Sequence, residues 1–352
     1  MNILVVDIAA EYGGALAVLK DFYEFVRTDE RAKMHKWKFV VSTTKIQSSE
    51  HISIEEVKKG RFPWLSRLLT DNVKVRNIAK KFNPDIVLSL QNTIISGLGH
   101  TKQAVYIHQS IPFQKEKVFS FLKRREFVLA IYQHIIGAFI KGAAVKASKV
   151  FVQTEWMKRS IVEKTRCDRD KVIVVPINKK SSQFDNPQKQ WNNKSFFYPA
   201  FKAIYKNQNL ILKSAQLLQS RGVDDLSIIL TTKSGFACDL IKEVGQIPHE
   251  EVLSMLCQST LLFPSYIETV GLPLIEAMQA GTVILAADCE YAHETLGKYE
   301  NAYYFDPFHP VQLADLIEDV IEGRIVKTNL SIFQKSESNC WARIMDELLA
   351  TN

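Results

Sequence analysis

Two glutamates with seven residues between them, Glu268 and Glu276, stand in the stretch Phe263-Pro264-Ser265-Tyr266-Ile267-Glu268-Thr269-Val270-Gly271-Leu272-Pro273-Leu274-Ile275-Glu276-Ala277-Met278-Gln279-Ala280-Gly281. Ionised carboxylates only accept hydrogen bonds, so a pair facing one space suits a ligand rich in hydroxyls. The stretch reads as a strand ending at Pro264, a loop, and a helix beginning near Leu272, with Pro273 in its first turn and Gly281 just past its end. Glu268 then lies on the loop and Glu276 within the first helical turns, able to face one cavity from different directions. The amides of Val270, Gly271 and Leu272 would be unsatisfied donors at the positive end of the helix dipole, a setting that holds phosphate. A plainer alternative keeps Glu276 as a favourable charge near a helix N-terminus and Glu268 as a solvated loop residue.

The elements that must position these groups follow from periodicity. Short β-branched runs near residues 3–6, 38–42, 86–90, 104–108, 149–153 and 172–176 alternate with helical periods near 15–26, 73–81 and 156–163. The second half repeats the scheme, with strands near 196–198, 226–231, 261–264 and 283–286 and helices near 209–220, 249–257, 274–280 and 310–322. Alternation of this kind predicts right-handed βαβ units and parallel sheets. The expected fold class is α/β, with two doubly wound lobes at 1–180 and 194–330, the polar stretch 178–193 as linker, and a ligand cleft beyond the carboxyl ends of the strands.

A chain of 352 residues is long for one core and agrees with two domains. Its apolar fraction of 46% and charged fraction of 24% exclude a fibrous or disordered class. The net charge of +7 is compatible with phosphate-bearing ligands, an anionic membrane or nucleic acid and chooses none of them. Cys167, Cys238, Cys257, Cys289 and Cys340 are scattered without metal-ligand spacing, which fits a reducing cytoplasm. The first residues, Met1 to Asp7, read as a buried strand and not as an export signal. The longest charge-free apolar stretch, residues 127–140, is shorter than the roughly 20 residues that span a bilayer. Neither a Gly-x-Gly-x-x-Gly nor a phosphate-loop string follows a strand, and a receiver domain would need more acids than Asp7 and Glu11 at its strand ends. No nucleic-acid-binding module is visible, and nucleic acid is not expected as a partner.

The string Pro264-Ser265-Tyr266-Ile267-Glu268-Thr269-Val270-Gly271-Leu272-Pro273-Leu274-Ile275-Glu276 resembles the two-glutamate signature of the retaining glycosyltransferases of family four, the glycosyl transferases group 1, which adopt the GT-B fold. Further matches run in order along the chain. Gly13-Gly14 follows the first strand, Tyr106-Ile107-His108-Gln109 resembles a histidine-bearing strand end, and Val152-Gln153-Thr154-Glu155-Trp156-Met157 resembles the opening of the last helix of the first domain. Tyr205-Lys206-Asn207 resembles the basic site before the second domain's first long helix, and Gly245-Gln246-Ile247-Pro248 the loop that meets the nucleobase. The last residues, 336–352, resemble a terminal helix that crosses back to the first lobe.

The resemblance implies roles residue by residue. Glu276 would bind ribose hydroxyls, Glu268 the donor sugar, and Lys206 the diphosphate, where a cation stabilises the leaving group. Gly13 and Gly14 would let the first strand's loop approach the diphosphate with bare amides. His108 would reach the sugar, Ile247 the base, and Thr269, Val270, Gly271 and Leu272 would line the phosphate site. Lys202 stands where many members have a second cation, in Pro199-Ala200-Phe201-Lys202, and Val270 replaces a frequent aromatic. No cofactor or metal is expected, the chain being read as lacking a metal-binding Asp-x-Asp pair; the donor would be a UDP- or GDP-sugar. The resemblance further implies transfer to a glycan or polyprenyl-linked acceptor in bacterial surface polysaccharide assembly. Other GT-B activities, a sugar-nucleotide epimerase or disaccharide synthase, and an inactive scaffold stay open as alternatives. Residues 115–149 mix Lys115, Lys117, Lys123, Arg124, Arg125, Lys141, Lys146 and Lys149 with aromatics and only two acids. They read either as a peripheral contact with the inner face of the cytoplasmic membrane or as a core helix with a solvated basic side.

Overall fold

A computed structural model describes residues 1–10, 13–43, 45–57, 72–177, 190–328 and 340–350. The chain divides into two compact units, Met1–Phe113 with Leu129–Asn178 and Ser338–Asn352, and Gln114–Val128 with Lys179–Glu337. Residues 114–128 fall inside the 1–180 span read from the sequence yet group with the second unit.

The first unit is built on a parallel sheet. In chain order it holds β1 (Asn2–Asp7), α1 (Gly13–Thr28), α2 (Glu30–Lys33), β2 (Lys36–Val41), β3 (Ile52–Glu56), α3 (Asn72–Phe82), β4 (Ile86–Ser89) and β5 (Lys102–Tyr106). A helix follows as α4 (Phe127–Ala130), a π-helical stretch Ile131–Ile136 and α5 (Gly137–Lys146), and then come β6 (Lys149–Val152), α6 (Glu155–Thr165) and β7 (Val172–Val174). The strand order is β3-β2-β1-β4-β5-β6-β7. Strand β1 is buried from Ile3 to Asp7, as expected of a central strand covered on both faces, which is why it appears as a continuous apolar run. At α2, Asp29 caps the helix by accepting from the amides of Arg31 and Ala32 at 2.9 and 3.2 Å.

The second unit repeats the plan with β8 (Ser195–Tyr198), α7 (Gln208–Ser220), β9 (Ser227–Leu230), β10 (Ile241–Glu243), α8 (His249–Gln258), β11 (Thr260–Phe263), α9 (Leu272–Gln279), β12 (Ile284–Ala287), α10 (Glu290–Leu296), β13 (Ala302–Phe305) and α11 (Pro310–Ile321). Its parallel sheet has the order β10-β9-β8-β11-β12-β13. In both sheets the order reverses beside the first strand, between β1 and β4 and between β8 and β11. Loops leaving the carboxyl ends of such a pair diverge and leave room for a ligand.

The last helix, α12 (Cys340–Leu349), belongs to the first unit. Its Trp341, Ile344, Met345 and Leu348 recur at helical spacing and are buried in that unit's core. The Trp341 ring lies 5.1 Å from Phe22 and 5.9 Å from Tyr106, and its Nε1 donates to Asp21 at 2.7 Å. Burial of side chains this large stabilises by about 2 kcal/mol each or more.

Two expectations change. The apolar stretch read as 14 residues is part of a 20-residue helix, Phe127–Lys146, long and apolar enough by length and composition to cross a membrane. Ala130, Ile131, Ile140, Ala143 and Ala144 of that helix are nonetheless buried in protein. Its π-helical stretch is accommodated at Gly137, where a β-carbon would stand 3.0 Å from the Pro112 side chain and 3.2 Å from the Tyr132 carbonyl. Gly13 and Gly14, expected in the loop after β1, are instead the first residues of α1. The helix-forming run Ala15-Leu16-Ala17-Val18-Leu19 extends back to them.

Candidate functional site

In the second unit the loops leaving β8 and β11 are stitched together. The Tyr198 hydroxyl, at the end of β8, donates to the Lys206 carbonyl at 2.9 Å and closes the first loop. The Tyr266 amide and the Ser265 hydroxyl both donate to the Tyr205 carbonyl, at 3.0 and 3.3 Å, and join the second loop to the first. From α10, the Tyr291 hydroxyl donates to the Ser265 carbonyl. Burial, with the Glu268 charge adding to it, pushes the phenols of Tyr198 and Tyr291 well above their ordinary pKa, and that of Tyr205 up to about 12. All three stay protonated, and Tyr198 and Tyr291 donate.

This frame sets a charged pair. Lys206 is buried, closing a short 3₁₀ turn, Ile204–Lys206, just before α7. Its Nζ lies 5.1 Å from the Phe201 ring centre and 5.8 Å from that of Tyr205, and it pairs with Glu268 Oε1. The same carboxylate oxygen accepts from the Ser265 hydroxyl at 2.7 Å. With its side chain only 16% exposed, Glu268 is not the solvated loop residue of the plainer reading.

The helix carrying Glu276 begins where the sequence implies. Gly271 is its N-cap at φ +76°, and a β-carbon there would meet Leu274 at 3.1 Å and Phe263 at 3.3 Å, so both backbone and packing require glycine. Pro273 sits in the first turn and no side chain caps the start, which leaves the first amides of α9 without a side-chain acceptor from the cap residue. Glu276, 5% exposed, holds its Oε1 3.7 Å from Nε2 of His249, the first residue of α8. Val270 is buried and its carbonyl accepts from the Thr295 hydroxyl at 2.6 Å, while Thr269 is part-buried and Leu272 exposed. Ile247, part-buried, stands between β10 and α8. Lys202 is exposed on the β8 loop, in contrast to buried Lys206.

In the first unit, His108 follows the end of β5. Its amide and that of Gln109 donate to Asn92 Oδ1 at 2.8 and 3.0 Å, which ties the β5 end to the loop after β4. Burial pushes its imidazole pKa down to about 4, so the ring is neutral near pH 7. Gly14 is exposed at the start of α1.

Residues 237–336, which span both glutamates, match the model of the family described as glycosyl transferases group 1. The match covers 100 of the chain's 352 residues, all within the second unit, and marks the chain as a glycosyltransferase. No curated protein matches it in sequence. Among solved structures, the glycosyltransferase is similar to the lipopolysaccharide outer core galactosyltransferase WaaB in its apo form, with a TM-score of 0.67 at 14% identity over 100% of both chains. It is similar to WaaG, a glycosyltransferase involved in lipopolysaccharide biosynthesis, with a TM-score of 0.67 at 14% identity over 100% of this chain and 96% of that one. Anabaena Alr3699/HepE in complex with UDP-glucose is a third, with a TM-score of 0.63 at 15% identity over 99% and 95%. These likenesses establish the GT-B fold.

Sequence reasoning about this glycosyltransferase missed the residues that hold the loops, Tyr198, Ser265 and Tyr291, although Ser265 lies inside the quoted signature. The visible signal was a tyrosine ending one strand and a serine directly after the next. It also overlooked one string: Asp168-Arg169-Asp170 does have Asp-x-Asp spacing. Asp168 Oδ1 accepts from the Asp170 amide at 3.0 Å in an exposed turn before β7, a local side-chain turn. Among the described residues no group of three or more His, Cys, Asp or Glu could hold a metal ion.

Proposed function

We propose that this glycosyltransferase moves a sugar, with retention of anomeric configuration, from a UDP- or GDP-sugar to a glycan or polyprenyl-linked acceptor in bacterial surface polysaccharide assembly. The observation that carries the reading is the buried Lys206 ammonium sharing one Glu268 oxygen with Ser265 at the ends of β8 and β11. A desolvated cation at this position is what a departing nucleoside diphosphate needs, and the first amides of α9 add donors for its phosphates. When the donor arrives, its diphosphate competes for Lys206, and Glu268 keeps the Ser265 hydrogen bond while accepting from sugar hydroxyls. Glu276, buried on α9, accepts from the ribose hydroxyls.

The diphosphate charge is then met by Lys206 and peptide amides, with Lys202 as a more exposed second cation, and no metal takes part. The acceptor attacks the face from which the diphosphate leaves, so no protein nucleophile is required. The UDP-glucose bound by Alr3699/HepE supports UDP as the first nucleotide to test. We read the enzyme as cytoplasmic, with residues 115–149 as a peripheral contact on the inner membrane face. The test is a melting-temperature panel with UDP, GDP and their sugars, since a ligand bound only by the folded state raises the melting temperature. A shift with one nucleotide series, reduced in Glu276→Ala, is the expected result; no shift with either series would end the reading.

A further inference from the structure

Phe201, in the loop after β8, is large, apolar and 61% exposed. A single exposed ring is ordinary on a protein surface, but this one stands against the charged pair. The Lys206 Nζ lies 5.1 Å from its centre, and the Tyr205 ring stands 6.3 Å away and nearly perpendicular, at 81°. The ring is packed on an ammonium and on one phenol, and most of it is open.

Its backbone is fixed from two directions. The Ala200 amide donates to the Thr231 hydroxyl oxygen at 2.9 Å, and that hydroxyl donates to the Ala200 carbonyl at 3.2 Å, which ties the loop to the residue after β9. The Phe201 carbonyl accepts from Gln208 Nε2 at 3.3 Å, and buried Gln208 opens α7. The loop is shaped in advance, so little conformational freedom is lost when a ligand covers the ring. Glu268 completes the setting. Among the described residues its partners Lys206 and Ser265 both use Oε1, which leaves Oε2 to accept from a ligand.

An open phenyl ring, a carboxylate oxygen and an ammonium side by side call for a ligand with an apolar face, hydroxyl donors and an anionic neighbour. A phosphate alone would use the ammonium and leave the ring in water. A nucleobase could stack on the ring, but in a nucleotide sugar the ribose separates it from the diphosphate, whereas the transferred sugar is joined to the diphosphate directly. A pyranose carries C–H bonds on its faces and hydroxyls on its rim. We propose that Phe201 is the platform on which the donor's pyranose ring stacks, with the C–H bonds of one sugar face against the phenyl. A sugar hydroxyl donates to Glu268 Oε2, and the adjoining diphosphate reaches Lys206. The proposal rests on the donor reading given above and adds the residue that separates a sugar nucleotide from the bare nucleotide.

The test is calorimetric titration of the full chain with UDP, GDP, UDP-glucose, UDP-galactose and GDP-mannose, in the wild type, Phe201→Ala and Phe201→Tyr. The wild type should bind at least one sugar nucleotide more tightly than its parent nucleotide. Phe201→Ala should cut that advantage about fivefold while holding its affinity for the nucleotide alone within about twofold. Phe201→Tyr keeps a ring and should keep the advantage, and both variants should keep the wild-type melting temperature because the side chain is exposed. No advantage of any sugar nucleotide in the wild type, an equal loss for nucleotide and sugar nucleotide in Phe201→Ala, an undiminished advantage there, or its loss in Phe201→Tyr would overturn the stacking and leave the donor reading standing. A wild type that binds none of the five ligands would overturn both.

Discussion

The ends of β4 and β5 in the first sheet and of β8 and β11 in the second invite comparison, because each pair of neighbouring parallel strands receives its side chains from loops just past the strand ends. The ends of β4 and β5 are held by neutral groups: Asn92 holds the backbone of His108 and Gln109, and burial keeps the imidazole uncharged. The ends of β8 and β11 form a charged corner: a buried lysine and a part-buried glutamate meet over a serine hydroxyl, framed by protonated tyrosines. One topology therefore supplies a position, and the residue types after each strand decide whether that position stabilises charge. The charged corner is the one suited to a leaving diphosphate.

Removing the cation should break the comparison most completely. Lys206→Ala is expected to lower kcat/KM by about a hundredfold, near 3 kcal/mol of lost leaving-group stabilisation, and the far more exposed Lys202→Ala much less. Steady-state rates of nucleoside diphosphate release check this, and equal effects at the two lysines would remove the distinction between them.

Next in size is the acid response at the ends of β4 and β5. His108 has its pKa lowered in the folded state, so the unfolded chain takes up its proton first as pH falls. The contribution is fully present above about 6.5 and is lost as pH drops toward about 4. Allowing for partial exposure of the side chain, the loss amounts to about 2 kcal/mol. Urea denaturation between pH 7 and 4.5 should show this decline, and His108→Gln should flatten it.

Glu276→Ala should weaken nucleotide binding by roughly tenfold, about 1.4 kcal/mol, seen as a smaller melting-temperature shift with UDP or GDP. The smallest effect sharpens the picture of the charged corner. Ser265→Ala removes one of two partners of Glu268 Oε1 and should raise KM for the donor severalfold, about 1 kcal/mol, with kcat nearly unchanged. A fall in kcat with KM unchanged would instead tie Ser265 to the leaving group.

Legibility in the sequence tracks burial. The central strands β1, β4, β8, β11 and β12 appear as apolar runs because helices cover both their faces, and each was visible. The strands that were missed, β3, β10 and β13, are all sheet edges. Edge strands are half-exposed, so Ile52-Ser53-Ile54-Glu55-Glu56 and Ile241-Lys242-Glu243 carry polar residues that hide them among loops. The glutamate pair, Pro273 and Gly281 were readable because a helix start and stop are specified by residues adjacent in the chain. The linker read at 178–193 lies largely outside the described residues.

By itself the sequence determined the alternation of strands and helices, the start of α9 and the identities of the groups with chemistry to offer, since all of these depend on local periodicity and turn-forming residues. Only the tertiary structure decided that Lys206 and not Lys202 is buried against Glu268, that Ser265 ties the loop after β11 to the loop after β8, and which side chains α12, expected from the resemblance to return to the first lobe, packs against there. Those outcomes join residues from about 60 to more than 300 positions apart, as in Lys206 with Glu268 and Asp21 with Trp341. Pairings across such separations follow from how sheets and helices stack, and local pattern does not encode them.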